Sequence, residues 1–235
     1  GQSTSFPRIA DAIEAAKAYA PMPVTIHIAP GSYHEKLTVS QPHVTLMGDD
    51  ASNTILTYDD YAREIMPDGI KRGTFRTYTL FLDAPDITLC NLTVENAAGA
   101  GKEVGQAIAL YAEGEGIRVE NCRLIGSQDT LFTGPEKEKE PGGFRGPKEF
   151  APRINGRQYY KNTYICGGVD FIFGSATAYF EHCTLESLLR TKASAQSDLV
   201  STTSTLHDSG SDTSALCHSN SDMVQKNYTL PPIQG

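Results

Sequence analysis

The chain has no tryptophan. It has no run of about eighteen apolar residues, so nothing in it reads as a membrane-spanning helix. Its five cysteines are odd in number and lack metal-like spacing. That argues against a disulfide framework or a zinc site and favours buried structural thiols. Its six histidines form no ligand-like cluster either, so no metal is expected. Basic charge is in deficit: 20 Lys and Arg stand against 28 Asp and Glu, a net charge of −8. This disfavours nucleic acid and anionic membranes as partners, and it predicts repulsion of a polyanion whose acidic groups are not masked. No charged-then-apolar leader is visible. The chain begins at Gly1, so the missing leader carries little weight for location.

What is present is mostly β-rich. Ser5 precedes an amphipathic run with Phe6, Ile9, Ile13 and Ala16 on one face, which predicts a short helix over 6–19 with Ser5 as its cap. Short β-rich runs follow at 24–28, 36–39, 44–47, 79–82, 87–94, 108–112, 117–125, 159–165, 171–173 and 179–185. Gly, Asn, Asp and Pro separate them. No second amphipathic helix intervenes, which argues against a doubly wound α/β fold.

The runs repeat. Segments opening at Ile87, Gln158, Ile117 and Ala178 share one pattern, and in chain order their starts lie 30, 41 and 20 residues apart. A unit of about twenty residues with loop insertions accounts for these gaps and predicts a parallel β-helix. Leu92, Cys122, Thr163 and Cys183 share a phase and are expected to form an inward ladder, with the helix covering the first coil. Insertions are read at 58–76 and 134–157. The second carries Lys137, Lys139, Arg145, Lys148, Arg153 and Arg157, either a solvated rim or a basic wall beside a cleft. From about Ser187 the chain turns Ser/Thr-rich and the repeat disappears. The expected division is therefore a β-helix domain over 1–186 and a poorly structured or foreign tail over 187–235.

Two aspartates stand in equal phase. Asp129 lies twelve residues beyond Ile117, and Asp170 twelve beyond Gln158. Neighbouring rungs of a parallel ladder lie about 4.8 Å apart. Two carboxylates that close cannot ionise independently, so one is expected to stay protonated beside an ionised partner. Gln128 can offer amide donors to a developing oxyanion. Turn capping by the two aspartates is the simpler alternative at this point.

Longer motifs narrow the choice. Gln106-Ala107-Ile108-Ala109-Leu110, Gln128-Asp129-Thr130-Leu131 and Val169-Asp170-Phe171-Ile172-Phe173-Gly174 resemble, in order, those of the pectin methylesterases, the aspartyl esterases of carbohydrate esterase family 8. The likeness runs from about Phe6 to Glu186. It includes Gly31-Ser32-Tyr33-His34-Glu35-Lys36-Leu37, Gly73-Thr74-Phe75 and Asn96-Ala97-Ala98-Gly99. The resemblance implies an all-β, right-handed parallel β-helix of the pectin-lyase-like kind, with a short N-terminal cap helix and an atypical C-terminal tail. It implies Asp170 as nucleophile on the methyl ester of a galacturonate. It implies Asp129 as acid and then base, Gln106 and Gln128 as oxyanion-stabilising residues, and Phe173 as a substrate-contacting aromatic. No cofactor is implied. The implied partner is methyl-esterified pectin (homogalacturonan), with neither nucleic acid nor membrane, and the implied state is a monomer. A polymeric substrate favours a secreted or cell-surface location.

The departures matter as well. The family's Gly-Arg-Pro-Trp motif, whose arginine holds the nucleophile, has no counterpart here, and Arg190 is the only arginine after Asp170. Ser127 stands where an aromatic is usual. Thr163 stands where some bacterial members have a cysteine paired with the one matching Cys183. The simplest expectation is a family N-terminal region joined to an unrelated tail, with weak turnover. A glycoside hydrolase with carboxylates about 5–5.5 Å apart, a non-catalytic binder of acidic polysaccharide and an esterase on another ester remain open as readings.

Overall fold

The computed structural model describes residues 4–135, 146–148, 151–188 and 201–205, the last by backbone alone. The strands follow one another in coils. β1 (Val24–Ile28), β2 (Gly31–His34) and β3 (Leu37–Val39) make the first, and β4 (Val44–Gly48), β5 (Thr54–Tyr58) and β6 (Leu80–Leu82) the second. The third holds β7 (Thr88–Cys90), β8 (Thr93–Asn96) and β9 (Leu110–Ala112). The fourth holds β10 (Ile117–Glu120), β11 (Arg123–Ile125) and β12 (Leu131–Thr133). β13 (Arg157–Lys161), β14 (Tyr164–Gly167) and β15 (Ile172–Gly174) form the fifth, and β16 (Thr177–Glu181) and β17 (Thr184–Leu188) begin a sixth. Each strand pairs in parallel with its counterpart one coil away, giving three sheets ordered β1-β4-β7-β10-β13-β16, β2-β5-β8-β11-β14-β17 and β3-β6-β9-β12-β15. This is the expected parallel β-helix. A further strand, β18 (Ser201–Thr205), departs from the pattern by pairing antiparallel to β17.

The interior is built of ladders of like residues. Ile26, Leu46, Leu89, Val119, Tyr160 and Phe180 stand in register through the first sheet. Leu37, Leu80, Leu110, Leu131 and Ile172 do so through the third. Full burial of each such side chain contributes about 1.5–3 kcal/mol. The ladder of Leu92, Cys122, Thr163 and Cys183 is buried throughout. Thr163 tolerates that position because its hydroxyl donates to the carbonyl of Lys161 at 3.0 Å, and Cys183 is a free thiol.

Several runs that read as single strands are two. Asn91, Asn121, Asn162 and His182 adopt left-handed conformations, with φ of 56°, 53°, 49° and 51°, and each turns the chain from the first sheet into the second. Asparagine tolerates this region better than most residues. Here its side chains also stack: the Asn121 amide donates to Asn91 at 3.2 Å and that of Asn162 to Asn121 at 3.1 Å. β2, β5 and β12, absent from the sequence reading, complete the sheets.

The helix is shorter than expected. α1 spans Ile9–Ala16 and is followed by a 3-10 turn. Ser5 does not cap it. The Glu35 carboxylate, arriving from the first coil, accepts from the backbone N–H groups of Ile9 and Ala10 at 3.0 Å each. A charged acceptor serving two free N–H groups at a helix N-terminus outcompetes a local hydroxyl. Ile9, Ile13 and Ala16 join the core at the first coil.

Candidate active site

The third sheet carries the site. Leu131 pairs with Ile172, so Asp129 and Asp170, each two residues before its strand, occupy one phase of neighbouring coils. Both take left-handed φ values, 62° and 49°. This is the same device that turns the asparagines, here used where the second sheet hands over to the third. The Asp129 N–H donates to the Val169 carbonyl at 3.1 Å, which ties the two turns together.

The two carboxyls meet different surroundings. Asp129 is buried, at 5% exposure, while Asp170 is half-buried. Burial, then the nearby Asp170 charge, pushes the Asp129 pKa from 3.8 up to about 8, against a smaller opposing hydrogen bond from Gln128. Its Oδ1 finds no protein hydrogen-bond partner among the described residues. Asp129 therefore favours its neutral form, with one carboxyl oxygen unpartnered, next to a second carboxyl group.

Gln128 is held from the side. A one-turn helix, α2 (Gly101–Val104), begins with the Gly101 N–H donating to Ser127 Oγ at 2.9 Å. A Cβ on Gly101 would lie 2.7 Å from Gln128 Cβ and 2.9 Å from its Oε1. Ser127, in the place of an aromatic, thus fastens the segment that packs on Gln128. Gln106 is half-buried and lies immediately before Ala107, whose N–H donates to the Gln128 carbonyl at 3.0 Å. Both glutamines accordingly belong to the strand-entry turns around Asp129.

Phe173 ends an aromatic ladder that sequence reading missed. Phe81, Tyr111, Phe132 and Phe173 stand in register on the outer face of the third sheet, with ring centroids 4.3, 4.7 and 4.8 Å apart in turn. Phe75 packs across Phe132 at 5.0 Å and Phe173 at 6.5 Å. The signal was present: Leu80-Phe81, Leu110-Tyr111, Leu131-Phe132 and Ile172-Phe173 repeat one aliphatic–aromatic step.

The basic wall is largely neutralised where it is described. Lys148 pairs with Asp83 at 2.5 Å and Arg157 with Glu115. Lys137, Lys139, Arg145 and Arg190 lie outside the described residues. Among the described residues no three His, Cys, Asp or Glu side chains converge as a cation site would require.

Comparison with known proteins gives one consistent result. The family model described as Pectinesterase matches residues 1–138 and 153–231. The match continues past residue 187, into the segment set apart in the sequence reading. Pectinesterase QRT1 of Arabidopsis thaliana is 33% identical over 170 residues, covering 70% of this chain and 40% of that protein. Pectinesterase 31 of the same plant is 30% identical over 187 residues, covering 77% and 52%. Among solved structures, the pectin methylesterase PemA of Erwinia chrysanthemi superposes with a TM-score of 0.63 at 29% identity, covering 79% of this chain and 52% of its own. A pectin methylesterase in complex with a hexasaccharide gives 0.63 at 29%, covering 78% and 52%. The chain thus spans about half or less of the length of these relatives.

Proposed function

Because the chain belongs to the pectinesterase family, we propose that it serves as a pectin methylesterase, releasing methanol from methyl-esterified polygalacturonate with Asp170 and Asp129 as its catalytic pair. The observation that carries the reading is the asymmetry of the dyad: two carboxyls in one phase, one of them held protonated. An ester hydrolase needs both states at once. Asp170 as carboxylate attacks the ester carbonyl, and the tetrahedral oxyanion is met by the amide donors of Gln128 and Gln106. Asp129 gives its proton to the departing methanol. The acyl group is then an anhydride on Asp170. Asp129, now ionised, takes a proton from water, whose oxygen attacks the acyl carbon and frees the acid product.

The surroundings support this division of labour. A buried acid with an unpartnered oxygen suits proton donation, and a less buried neighbour suits attack on the substrate. Phe173 and the ladder behind it offer an apolar face to the sugar. All residues given a role lie before Glu186, so the coils of residues 1–186 form the working unit, acting as a monomer and without a metal. The pectin methylesterase solved with a hexasaccharide supports an oligosaccharide as the ligand class.

The test is methanol release from methyl-esterified pectin, set against formation of new reducing ends. Methanol without new reducing ends supports the esterase. New reducing ends would instead indicate glycoside cleavage. Asp170→Ala should abolish the methanol signal.

A further inference from the structure

The one-turn helix α2 is held by a single residue from outside the repeat. A helix this short leaves nearly all its carbonyls without intrahelical partners. The Gly101 carbonyl accepts from the Gly105 N–H at 2.8 Å. The next three carbonyls all accept from Arg63. Its Nη1 donates to the Lys102 carbonyl at 2.7 Å and to that of Glu103 at 3.0 Å. Its backbone N–H donates to the Val104 carbonyl at 3.3 Å. Its stem crosses Gly105, where a Cβ would lie 3.2 Å from Arg63 Cγ and Nε. A guanidinium at a helix C-terminus also meets the negative end of the peptide dipoles.

Arg63 stands on a fixed base within the insertion of residues 58–76. The Ala62 N–H donates to the Gln106 carbonyl at 2.9 Å, and the Gly73 N–H to the Ala62 carbonyl at 3.0 Å. Arg72 ties the insertion to itself through Asp60 at 2.9 Å and Glu64 at 2.7 Å, and Lys36 of the first coil pairs with Asp60. The other end of α2 meets the site. The Gly101 N–H donates to Ser127 Oγ, and Gly101 lies so close to the Gln128 side chain that no Cβ fits between them. Just beyond α2, the Ala107 N–H donates to the Gln128 carbonyl at 3.0 Å. An isolated four-residue helix has no stability of its own. The place of α2, and of what packs on it, therefore depends on these contacts.

We propose that Arg63 is a positioning residue: by fixing α2 from its carbonyl end, it holds Gln128 and the neighbouring Gln106 turn where the oxyanion forms. The proposal rests on the esterase reading above, which gives the two glutamines their role. Arg63 acts through α2 and not on the substrate. Removing its guanidinium leaves the Lys102 and Glu103 carbonyls to water and frees the turn to move off Gln128. An oxyanion donor displaced by about 1 Å costs on the order of tenfold to a hundredfold in rate. Substrate affinity changes little, because the oxyanion exists only along the reaction and not in the bound ester.

Two readouts on the full chain test this. The first is methanol release from methyl-esterified pectin. Arg63→Ala should lower kcat about tenfold with KM nearly unchanged. Arg63→Lys should keep part of the rate, since an ammonium reaches one carbonyl without the planar fork that bridges two. The second is hydrogen exchange followed amide by amide, which needs no activity. Arg63→Ala should speed exchange several-fold at Glu103, Val104, Gly105 and Ala107 and leave β1 and β4 unchanged. A folded Arg63→Ala with native exchange at these amides, or with native kcat, would overturn the positioning role. A loss carried by KM alone would overturn it too, because it would place Arg63 on the substrate. Should Arg63→Ala fail to fold, Arg63→Lys carries the comparison, and native exchange together with native kcat would again overturn the role. If the native chain releases no methanol, the esterase reading fails alone. Faster exchange at Ala107 in Arg63→Ala would then still keep Arg63 as the anchor of the Gln128 turn, and unchanged exchange would remove that as well.

Discussion

In the proposed mechanism the chemistry turns on Asp129. Its acidity is set first by burial and second by Asp170, so its proton persists to about pH 8. Turnover and stability both depend on that proton. Turnover should decline as pH rises through about 8, because the acid that protonates methanol is lost. Stability should decline across the window below it, between about pH 4 and about 8. A group whose folded pKa lies above its unfolded value stabilises fully below the unfolded pKa, near 4, and loses that contribution as pH rises through the folded pKa, near 8. Urea unfolding midpoints across this window should fall with pH for the native chain and stay flatter for Asp129→Asn. A parallel slope in both would show that another group controls it. Gly101 permits a second test. Because a Cβ there would press on Gln128, Gly101→Ala should cut kcat about tenfold or more with little change in KM. An unchanged kcat would remove Gln128 from the oxyanion role.

At the scale of the element, turns matter more than strands. The pairs of strands joined at Asn91, Asn121, Asn162 and His182 read as unbroken β-rich runs because left-handed single residues do not interrupt hydrophobic alternation. The register survived that error: the turn falls at the same place in every coil, so aligned starts still give aligned side chains. The α1 cap shows the opposite case. Ser5 was a sound local choice, yet the cap arrives from Glu35, distant in sequence and adjacent in space. No local pattern encodes that, although Glu35 sits in a motif shared with the resembled family. Glu35→Ala should destabilise the chain by about 1 kcal/mol, seen as a lower denaturant midpoint, whereas Ser5→Ala should not. Equal effects would place the cap back on Ser5. The loop of residues 58–76 was legible only as polar. Its ion pairs around Asp60 and its contact of Phe75 with the ladder depend on tertiary placement.

For the whole molecule, the repeat made the fold legible, and the motif phases put Asp129 and Asp170 on neighbouring coils. Asp129 and Asp170 could be paired because twenty-residue coils convert sequence phase into neighbourhood. Phe81, Tyr111 and Phe132 could have been found by the same logic, since their aliphatic–aromatic step recurs once per coil. The contact of Phe75 from the 58–76 insertion with Phe132 could not, because insertions have no phase. The central claim joins this architecture to one reaction. The direct measurement is methanol release from methyl-esterified pectin by the native chain and by Asp170→Ala, with reducing ends followed in parallel. The account predicts methanol from the native chain alone and no new reducing ends from either. Methanol release undiminished in a folded Asp170→Ala, or new reducing ends without methanol, would contradict it.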